Sequence, residues 1–300
     1  MFKEILNKSN LLTSLPLMIL IFFFSGNLSY SRPETNNTAV EAILVNKTVN
    51  VGDTISIKIK RIKDEKRPPK VFFNKTKIPS FMLSDSWYRS LAPLSANFEA
   101  GEYTVEVFYE GGVKRVPITV KPTEYPFEEL TLTKEVAALQ ASKIEKASVA
   151  QALSTESNTK FWSGEFMFPS TARKSTVYGV KRKINGVINH DYFHKGLDFA
   201  APTDSIVKAP ENGKVVLVGR TSKGFVVNGN CIFLDHGHGV LTAYLHLNSV
   251  LVKEGDLVKK GQVIGKVGST GIASGPHLHW GLYVLGKTVD PLQWTSTVIE

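Results

Sequence analysis

The segment that most constrains this chain is Gly275-Pro276-His277-Leu278-His279-Trp280, close to its carboxyl end. A Gly-Pro pair favours a turn, and Leu278 and Trp280 indicate that a partly buried strand follows it. Because side chains alternate between the two faces of a strand, His277 and His279 share one face and the apolar pair shares the other. We therefore predict a strand that packs one face into the core and presents two imidazoles on the other.

Two other segments carry histidines in similar surroundings. They are His194-Lys195-Gly196-Leu197-Asp198 and Tyr244-Leu245-His246-Leu247. A single histidine in a strand is most often a hydrogen-bonded structural residue, but that explanation would have to hold for three separate segments at once. The remaining histidines, His190, His236 and His238, lie beside Asn, Asp or Gly in segments that we predict to be loops, and we assign them no role.

The three segments together supply ligands for a metal ion. Catalytic zinc is bound by about three protein ligands, from nitrogen or carboxylate groups, with one position left for water. His194, Asp198 and His279 meet that requirement, so we predict one zinc ion per chain at these residues. His246 and His277 then remain to accept the proton of the water and to stabilise the oxyanion or protonate the leaving amine. Either imidazole could take either task.

The chain is basic, with 36 Lys and Arg residues against 27 Asp and Glu residues and a formal net charge of +9. Such a charge favours an anionic partner, such as a nucleic acid, a membrane or a cell-wall polymer. The basic residues are scattered through both halves and are not interleaved with aromatic residues, so we predict no nucleic-acid binding. Cys231, the single cysteine, lies in an apolar segment, which predicts a buried core position.

Residues 1–31 have the layout of a signal peptide. Lys3 and Lys8 precede an apolar run from Leu11 to Phe24, and small and polar residues follow up to Ser31. The run is shorter than the ~20 residues that a membrane-spanning helix needs, and no cysteine follows it that could accept a lipid. We therefore expect cleavage near Ser31 and export to the periplasm, the cell envelope or the medium, with no stable membrane span afterwards.

The rest of the chain divides into three parts. Residues 38–122 contain short alternating strands, with turns such as Gly52-Asp53, and this pattern predicts an immunoglobulin-like sandwich. Residues 123–160 include a long stretch without Gly or Pro, which predicts a helical linker that starts near Thr133. Its loosely periodic apolar residues favour packing against a neighbouring domain over a coiled coil, and we interpret it mainly as a spacer. Residues 161–297 return to Gly- and Val-rich strands that suggest a barrel-like sheet. The predicted fold class is therefore all-β.

From Phe166 to Trp294 the chain resembles the lysostaphin-like, LytM-type zinc endopeptidases of bacterial cell walls. The motifs that carry the resemblance are, in order, His194-Lys195-Gly196-Leu197-Asp198, Ala201-Pro202, Asp235-His236-Gly237, Tyr244-Leu245-His246-Leu247, Gly261-Gln262-Val263-Ile264-Gly265, Gly268-Ser269-Thr270-Gly271, Gly275-Pro276-His277-Leu278-His279-Trp280 and Asp290-Pro291. The resemblance implies a hybrid barrel-sandwich fold for this domain and zinc held by His194, Asp198 and His279. It also implies that His246 and His277 are catalytic, and that the substrates are peptide bonds in peptidoglycan stem peptides or cross-bridges.

Two positions depart from the pattern of that family. Its usual Gly-Thr-Pro is Asp204-Ser205-Ile206 here, and its usual Phe-Gly-x-Arg is Tyr178-Gly179-Val180-Lys181. Aspartate can accept the left-handed backbone that glycine would supply, so we expect Asp204 to keep the turn. We expect Tyr178 to lie at an edge of the substrate groove.

Two other functions fit the sequence less well than an endopeptidase does. Some relatives of the family have lost metal ligands and act as non-enzymatic regulators of wall hydrolases, but none of the five site positions is lost here. The segment from Glu254 to Gln262 also resembles half of a lipoyl or biotinyl carrier domain, yet no Met-Lys-Met or Asp-Lys-Ala turn follows it. We therefore prefer an exported endopeptidase, in which the amino-terminal module or the helix positions or shields the groove.

Overall fold

The computed structural model of the chain describes residues 41–44, 47–60, 67–84, 87–110, 112–188 and 192–299. The predicted signal peptide and His190 lie outside these ranges, so both remain sequence-based predictions. Among the described residues, no helix combines the length and the apolar character that crossing a membrane requires.

The amino-terminal part of the described chain is built from two sheets. Its strands are β1 (Ala42–Leu44), β2 (Thr48–Asn50), β3 (Thr54–Lys60), β4 (Lys70–Phe73), β5 (Thr76–Ile78), β6 (Phe81–Ser84), β7 (Trp87–Pro93), β8 (Gly101–Tyr109) and β9 (Gly112–Lys121). One sheet has the order β1-β3-β7-β6 and the other has the order β2-β9-β8-β4-β5. Ile55 and Ile57 of β3 share one buried core with Val105 and Val107 of β8. The two sheets therefore form a β-sandwich, and the immunoglobulin-like assignment stays a prediction.

Residues 123–160, predicted to be a helical linker, contain a strand as well as helices. They form β10 (Phe127–Leu130), α1 (Lys134–Ala137) and α2 (Lys143–Leu153). Helix α1 begins where the sequence predicts, since the Thr133 hydroxyl accepts a hydrogen bond from the Val136 N–H. The strand was missed because its partner, in a parallel pairing, is the distant segment 181–184. The local composition around Phe127–Leu130 does not indicate such a pairing.

Helix α2 packs on the carboxy-terminal domain, which agrees with the expected packing of this helix against a neighbouring domain and corrects its preferred interpretation as a spacer. Ala152 is buried in one apolar cluster with Phe225 and Phe233, and Val149 packs against that cluster. An isolated helix of this length is only marginally stable in water, so the helix depends on this docking.

The carboxy-terminal domain is dominated by one large sheet. Its elements are β11 (Arg173–Thr176), β12 (Lys181–Ile184), β13 (Val187–Ile188), β14 (Leu197–Ala200), β15 (Ile206–Lys208), β16 (Gly213–Gly219), β17 (Asn230–Gly237), β18 (Val240–Val250), β19 (Leu257–Val258), β20 (Val263–Val267), β21 (His277–Val284), β22 (Lys287–Val289) and α3 (Pro291–Ser296). The main path runs β11-β14-β21-β18-β17-β16-β19, and β15, β20 and β22 pair alongside it. A small separate sheet has the order β10-β12-β13. The fold class is all-β, as predicted.

The buried face of β14 and β21 follows the predicted alternation. Leu278 and Trp280 of β21 are fully buried and lie opposite Phe199 and Leu197 of β14, respectively. This arrangement confirms the expected two-faced strand, because the intervening histidines must then point the other way. Cys231 is also fully buried, as predicted.

His236 lies in strand β17, which corrects its predicted place in a loop, whereas His238 lies in the turn after β17, as predicted, and both are buried. His236 belongs to β17, and its ring nitrogens lie 2.7 Å from the Asn212 carbonyl oxygen and 2.8 Å from the Thr242 hydroxyl. The ring of His238 stacks on Phe81 of the amino-terminal sandwich, with centroids 4.6 Å apart. The sequence could not show this burial, because the groups that cover each ring come from distant strands.

The burial of His236 predicts a loss of stability in acid. Burial lowers the pKa of its imidazole to about 4, from 6.5 in an unfolded chain. As the pH falls through this window the unfolded chain binds the proton first, so the folded state loses on the order of 3 kcal/mol. We expect urea unfolding to show a smaller difference between about pH 7 and about pH 4.5 for His236→Asn than for the wild type. Equal differences would contradict this assignment.

Candidate active site

Strand register brings the predicted site residues together. Strands β14 and β21 are antiparallel, with Asp198 directly opposite His279. Strand β18 pairs with the other edge of β21 and places Leu245 opposite His279, so the next residue, His246, lies at the same end of the sheet. Directly opposed residues on one face of a sheet have Cβ atoms only ~4.5–5.5 Å apart. Residues far apart in the chain therefore meet on one face.

His194, Asp198 and His279 converge on one point. His194 Nε2 lies 3.0 Å from Asp198 Oδ1 and 3.0 Å from His279 Nδ1. His279 Nδ1 lies 2.9 Å from the same carboxylate oxygen, and all three residues are buried. Two imidazole nitrogens and one carboxylate oxygen are a donor set that zinc prefers. Within the described ranges, no other group of His, Cys, Asp or Glu side chains converges in this way.

The electrostatics of this cluster favour an ionised carboxylate beside a neutral imidazole. Burial alone would raise the pKa of Asp198, but hydrogen bonds with His194 and His279 hold it well below its usual range. Burial lowers the pKa of His279, although Asp198 opposes that effect. A metal ion binds an ionised carboxylate and a neutral imidazole, so the directions of these two shifts fit Asp198 and His279 as metal ligands.

Arg182 contacts the same carboxylate from the opposite side. Its Nη2 donates to Asp198 Oδ2 at 3.2 Å, and its Nε donates to Glu128 Oε2 at 3.1 Å. Arg182 lies on β12 and Glu128 lies on β10, so an ion-pair network joins the small sheet to the site. By occupying Oδ2, the guanidinium leaves Oδ1 to face the two histidines.

His246 and His277 form a neighbouring pair, with ring centroids 4.8 Å apart. His246 Nδ1 lies 2.8 Å from the Thr270 carbonyl oxygen, and His277 Nδ1 lies 2.9 Å from that of Gly275. Because a carbonyl oxygen only accepts, each neutral ring carries its proton on Nδ1 and keeps a lone pair on Nε2. Burial, reinforced by His277 and His279, lowers the pKa of His246 to about 3. His246 is thus neutral at physiological pH and able to accept a proton.

The turn before β12 orients His194. Its Nδ1 donates to the Val177 carbonyl oxygen at 2.8 Å, which leaves the Nε2 lone pair to face Asp198. The His194 carbonyl oxygen in turn accepts from the Gly179 N–H at 2.8 Å. The imidazole is therefore fixed in position and tautomer by backbone groups.

Tyr178 is buried in this turn, which corrects its predicted place at the groove edge. Its hydroxyl donates to the Thr288 carbonyl oxygen at 3.0 Å and accepts from the Ala96 N–H at 3.0 Å. Ala96 follows β7 of the sandwich, so the hydroxyl that distinguishes Tyr from Phe joins the amino-terminal sandwich to the turn that holds His194. The sequence prediction failed because it placed the ring by analogy with a phenylalanine, which has no hydrogen-bonding group to bury.

A cleft of about 990 Å³ opens over the cluster. Leu130 of β10 and Ile184 of β12 line one wall, and Asn228 and Ile272 from two loops also line the cleft. Apolar walls around a few convergent polar groups are typical of ligand sites.

The sequence predicted all five residues that meet in this cleft but missed Arg182. One signal could have identified it. The Arg of the usual Phe-Gly-x-Arg pattern aligns with Lys181, and Arg182 is the next residue. No sequence feature indicated that Glu128 lies near the site, because its strand was predicted as part of a helical linker.

The segment that resembles a carrier domain belongs to the same sheet as the site. Strand β19 pairs with β16, and strand β20 pairs with β15 and β18. Lys260, within that segment, forms an ion pair with Glu211 at 2.9 Å. The shared strand–turn–strand geometry therefore accounts for the similarity.

Comparison with known proteins identifies similar sequences and folds. Residues 192–291 match Peptidase family M23. The peptidoglycan DD-endopeptidase ShyA of Vibrio cholerae is 38% identical over 112 residues, which are 37% of this chain and 25% of that protein. The catalytic domain of the antimicrobial peptidase lysostaphin from Staphylococcus simulans is 31% identical, with 49% of this chain and 98% of that domain aligned and a TM-score of 0.32.

A crystal structure assigned to peptidase M23 from Pseudomonas aeruginosa aligns over a longer range. It covers 82% of this chain and 94% of the other, with 24% identity and a TM-score of 0.59, and it therefore shows a shared fold. The curated relatives are much longer than the matching region, since this chain spans 20% to 32% of their lengths.

We expect the folded state to lose stability when the Tyr178 hydroxyl, with its two hydrogen bonds, is removed. In Tyr178→Phe the partly buried Ala96 N–H loses its hydrogen-bond acceptor and the Thr288 carbonyl oxygen loses a buried donor, which together cost about 1–3 kcal/mol. Tyr103→Phe is a matched control, because its hydroxyl donates to the Glu99 carbonyl oxygen in an exposed position. We expect chemical denaturation to show a change within about 0.5 kcal/mol for this control. If both variants unfold at the same denaturant concentration, the hydrogen bonds of the Tyr178 hydroxyl contribute no stability.

Proposed function

Residues 192–291 match Peptidase family M23, and from this premise we propose that the chain is a zinc-dependent endopeptidase of the bacterial cell wall. Its reaction is the hydrolysis of peptide bonds in peptidoglycan cross-links or stem peptides. One observation carries the proposal: His194, Asp198 and His279 converge beside the His246–His277 pair in one open cleft.

The first three residues would hold the zinc ion, through His194 Nε2, Asp198 Oδ1 and His279 Nδ1. Bound there, zinc lowers the pKa of water from ~15.7 toward ~7 and polarises the carbonyl group of the scissile bond. The chain orients two of these ligands through other groups, since Val177 holds His194 and Arg182 holds Asp198. Such support limits the reorganisation that the site undergoes during the reaction.

His246 and His277 would move the protons. Each ring has its Nδ1–H bound to a backbone carbonyl oxygen, so each Nε2 can accept a proton from the attacking water and later return one to the leaving amine. General acid–base catalysis of this kind typically contributes ~10²–10⁴-fold in rate. The low pKa of His246 keeps it unprotonated before the reaction, as a base must be.

The substrate and the location follow from relatives and from the sequence. ShyA is named a peptidoglycan DD-endopeptidase, and this similarity supports a peptidoglycan substrate. The net charge of +9 suits an anionic wall, with an attraction that weakens as salt is added. The signal-peptide layout of residues 1–31 supports export to the periplasm or the cell envelope.

Digestion of purified cross-linked peptidoglycan tests the proposal. We expect the zinc-loaded protein, beginning near Arg32, to convert cross-linked fragments into smaller ones and a chelator to stop the reaction. Mass spectrometry of the fragments would identify the bond that is cut. Intact peptidoglycan after incubation with zinc-loaded protein, alongside a related enzyme that digests it, would contradict the proposal and favour a non-enzymatic regulator.

Two alanine variants separate metal binding from proton transfer. His279→Ala removes a ligand, so we expect loss of both the bound zinc and the activity. His246→Ala leaves the three ligands in place, so we expect one zinc per chain and a kcat lower by about 10²–10⁴-fold. Metal analysis and turnover on peptidoglycan fragments provide the two readouts. Wild-type turnover in His246→Ala would exclude a catalytic role for that residue.

A further inference from the structure

We propose that Glu145, on helix α2, is a positioning residue for His246. It lies outside residues 192–291, the part of the chain that matches the peptidase family. It acts by fixing the loop 226–228, which in turn holds the backbone of His246. This inference rests on the proposed function, because it assigns His246 a role in proton transfer.

Glu145 is a buried carboxylate that binds three consecutive backbone amides. Only 1% of the residue is exposed. Its Oε2 accepts from the N–H groups of Val226 and Val227 at 2.9 and 3.1 Å, and its Oε1 accepts from the Asn228 N–H at 2.7 Å. Hydrogen bonds to an ionised acceptor are roughly twice as strong as neutral ones. The whole loop is thus anchored to a single side chain of the helix.

The anchored loop contacts the proposed catalytic histidine and the segment that holds its ring. The Asn228 carbonyl oxygen accepts from the His246 N–H at 3.0 Å, and the Val227 carbonyl oxygen accepts from the Ile272 N–H at 2.9 Å. Ile272 lies two residues after Thr270, whose carbonyl oxygen accepts a hydrogen bond from the His246 ring. The loop therefore supports the backbone of His246 directly and its ring through one intermediate segment.

His246 needs this support because its backbone is strained. Its φ is 63°, in the left-handed region that residues with a side chain rarely adopt. Such a conformation costs on the order of 1–3 kcal/mol and persists only where the surrounding structure enforces it. The bond to the Asn228 carbonyl oxygen is a contact that enforces it. A looser loop would let this residue relax and carry its ring away from His277.

Helix α2 is held firmly enough to act as the anchor. Ser142 caps its first turn by accepting from the Glu145 N–H, and its hydroxyl donates to the Gly224 carbonyl oxygen at 2.7 Å. At the other end Ala152 is buried in the cluster with Phe233. The position of the Glu145 carboxylate is therefore set by contacts at both ends of the helix.

The variant Glu145→Gln tests the proposal with little change in shape. Its amide has a single acceptor oxygen and brings an NH₂ group toward backbone donors, so the loop must loosen. We expect amide hydrogen exchange in residues 226–228 and at His246 to accelerate by about tenfold or more. We also expect kcat to fall by about 10- to 100-fold, with KM within about twofold and one zinc still bound. The matched control is Glu135→Gln, an exposed glutamate of α1.

The outcomes separate this proposal from the proposed function. Unchanged exchange at the loop and at His246, or wild-type kcat with only a lower melting temperature, would overturn the positioning role. If the wild-type protein does not cut peptidoglycan, the proposed function fails, while the exchange measurement still tests the link from Glu145 to His246. If Glu145→Gln does not fold, Ser142→Ala weakens the same helix–loop contact and is measured in the same way.

Discussion

The ionised carboxylate of Asp198 is the group around which the rest of the site is arranged. A buried charge is costly unless hydrogen bonds and opposite charges surround it. Here two histidines contact one oxygen and Arg182 contacts the other. The register of β14 against β21 places Asp198 opposite His279, and Arg182 joins β12, with its partner β10, to the same carboxylate. Compensation of one charge therefore links the large sheet and the small sheet.

Backbone carbonyl groups outside the strands orient the site histidines. The carbonyl oxygens of Val177, Thr270 and Gly275 each bind the Nδ1 of one site histidine. Each bond selects a tautomer and a ring orientation, so the three imidazoles have lone pairs available at Nε2. The site thus depends on the placement of turns, and distant groups hold two of them. Ala96 binds the hydroxyl of Tyr178, which follows Val177, and Glu145 binds the loop that contacts His246. This dependence explains how a helix and a sandwich outside the matched family region can influence the chemistry.

The sequence predicted the local features of the site and missed the long-range ones. The alternation of His277 and His279 with apolar residues is a local signal, and the structure shows both imidazoles on the predicted face. Burial of Cys231 followed from an apolar neighbourhood in the same way. By contrast, the pairing of β10 with β12 and the anchoring of a loop by Glu145 involve partners dozens of residues apart. Such contacts leave no periodic pattern in either partner, so only the folded chain reveals them.

Location of the bound metal tests the account most directly. Crystals of the zinc-loaded protein, measured by anomalous diffraction on both sides of the zinc absorption edge, would place the ion without reference to activity. The account predicts one zinc peak per chain, bounded by His194, Asp198 and His279, with Arg182 still bound to the outer oxygen of the carboxylate. A zinc ion held elsewhere, or no zinc in a well-ordered cluster, would contradict it.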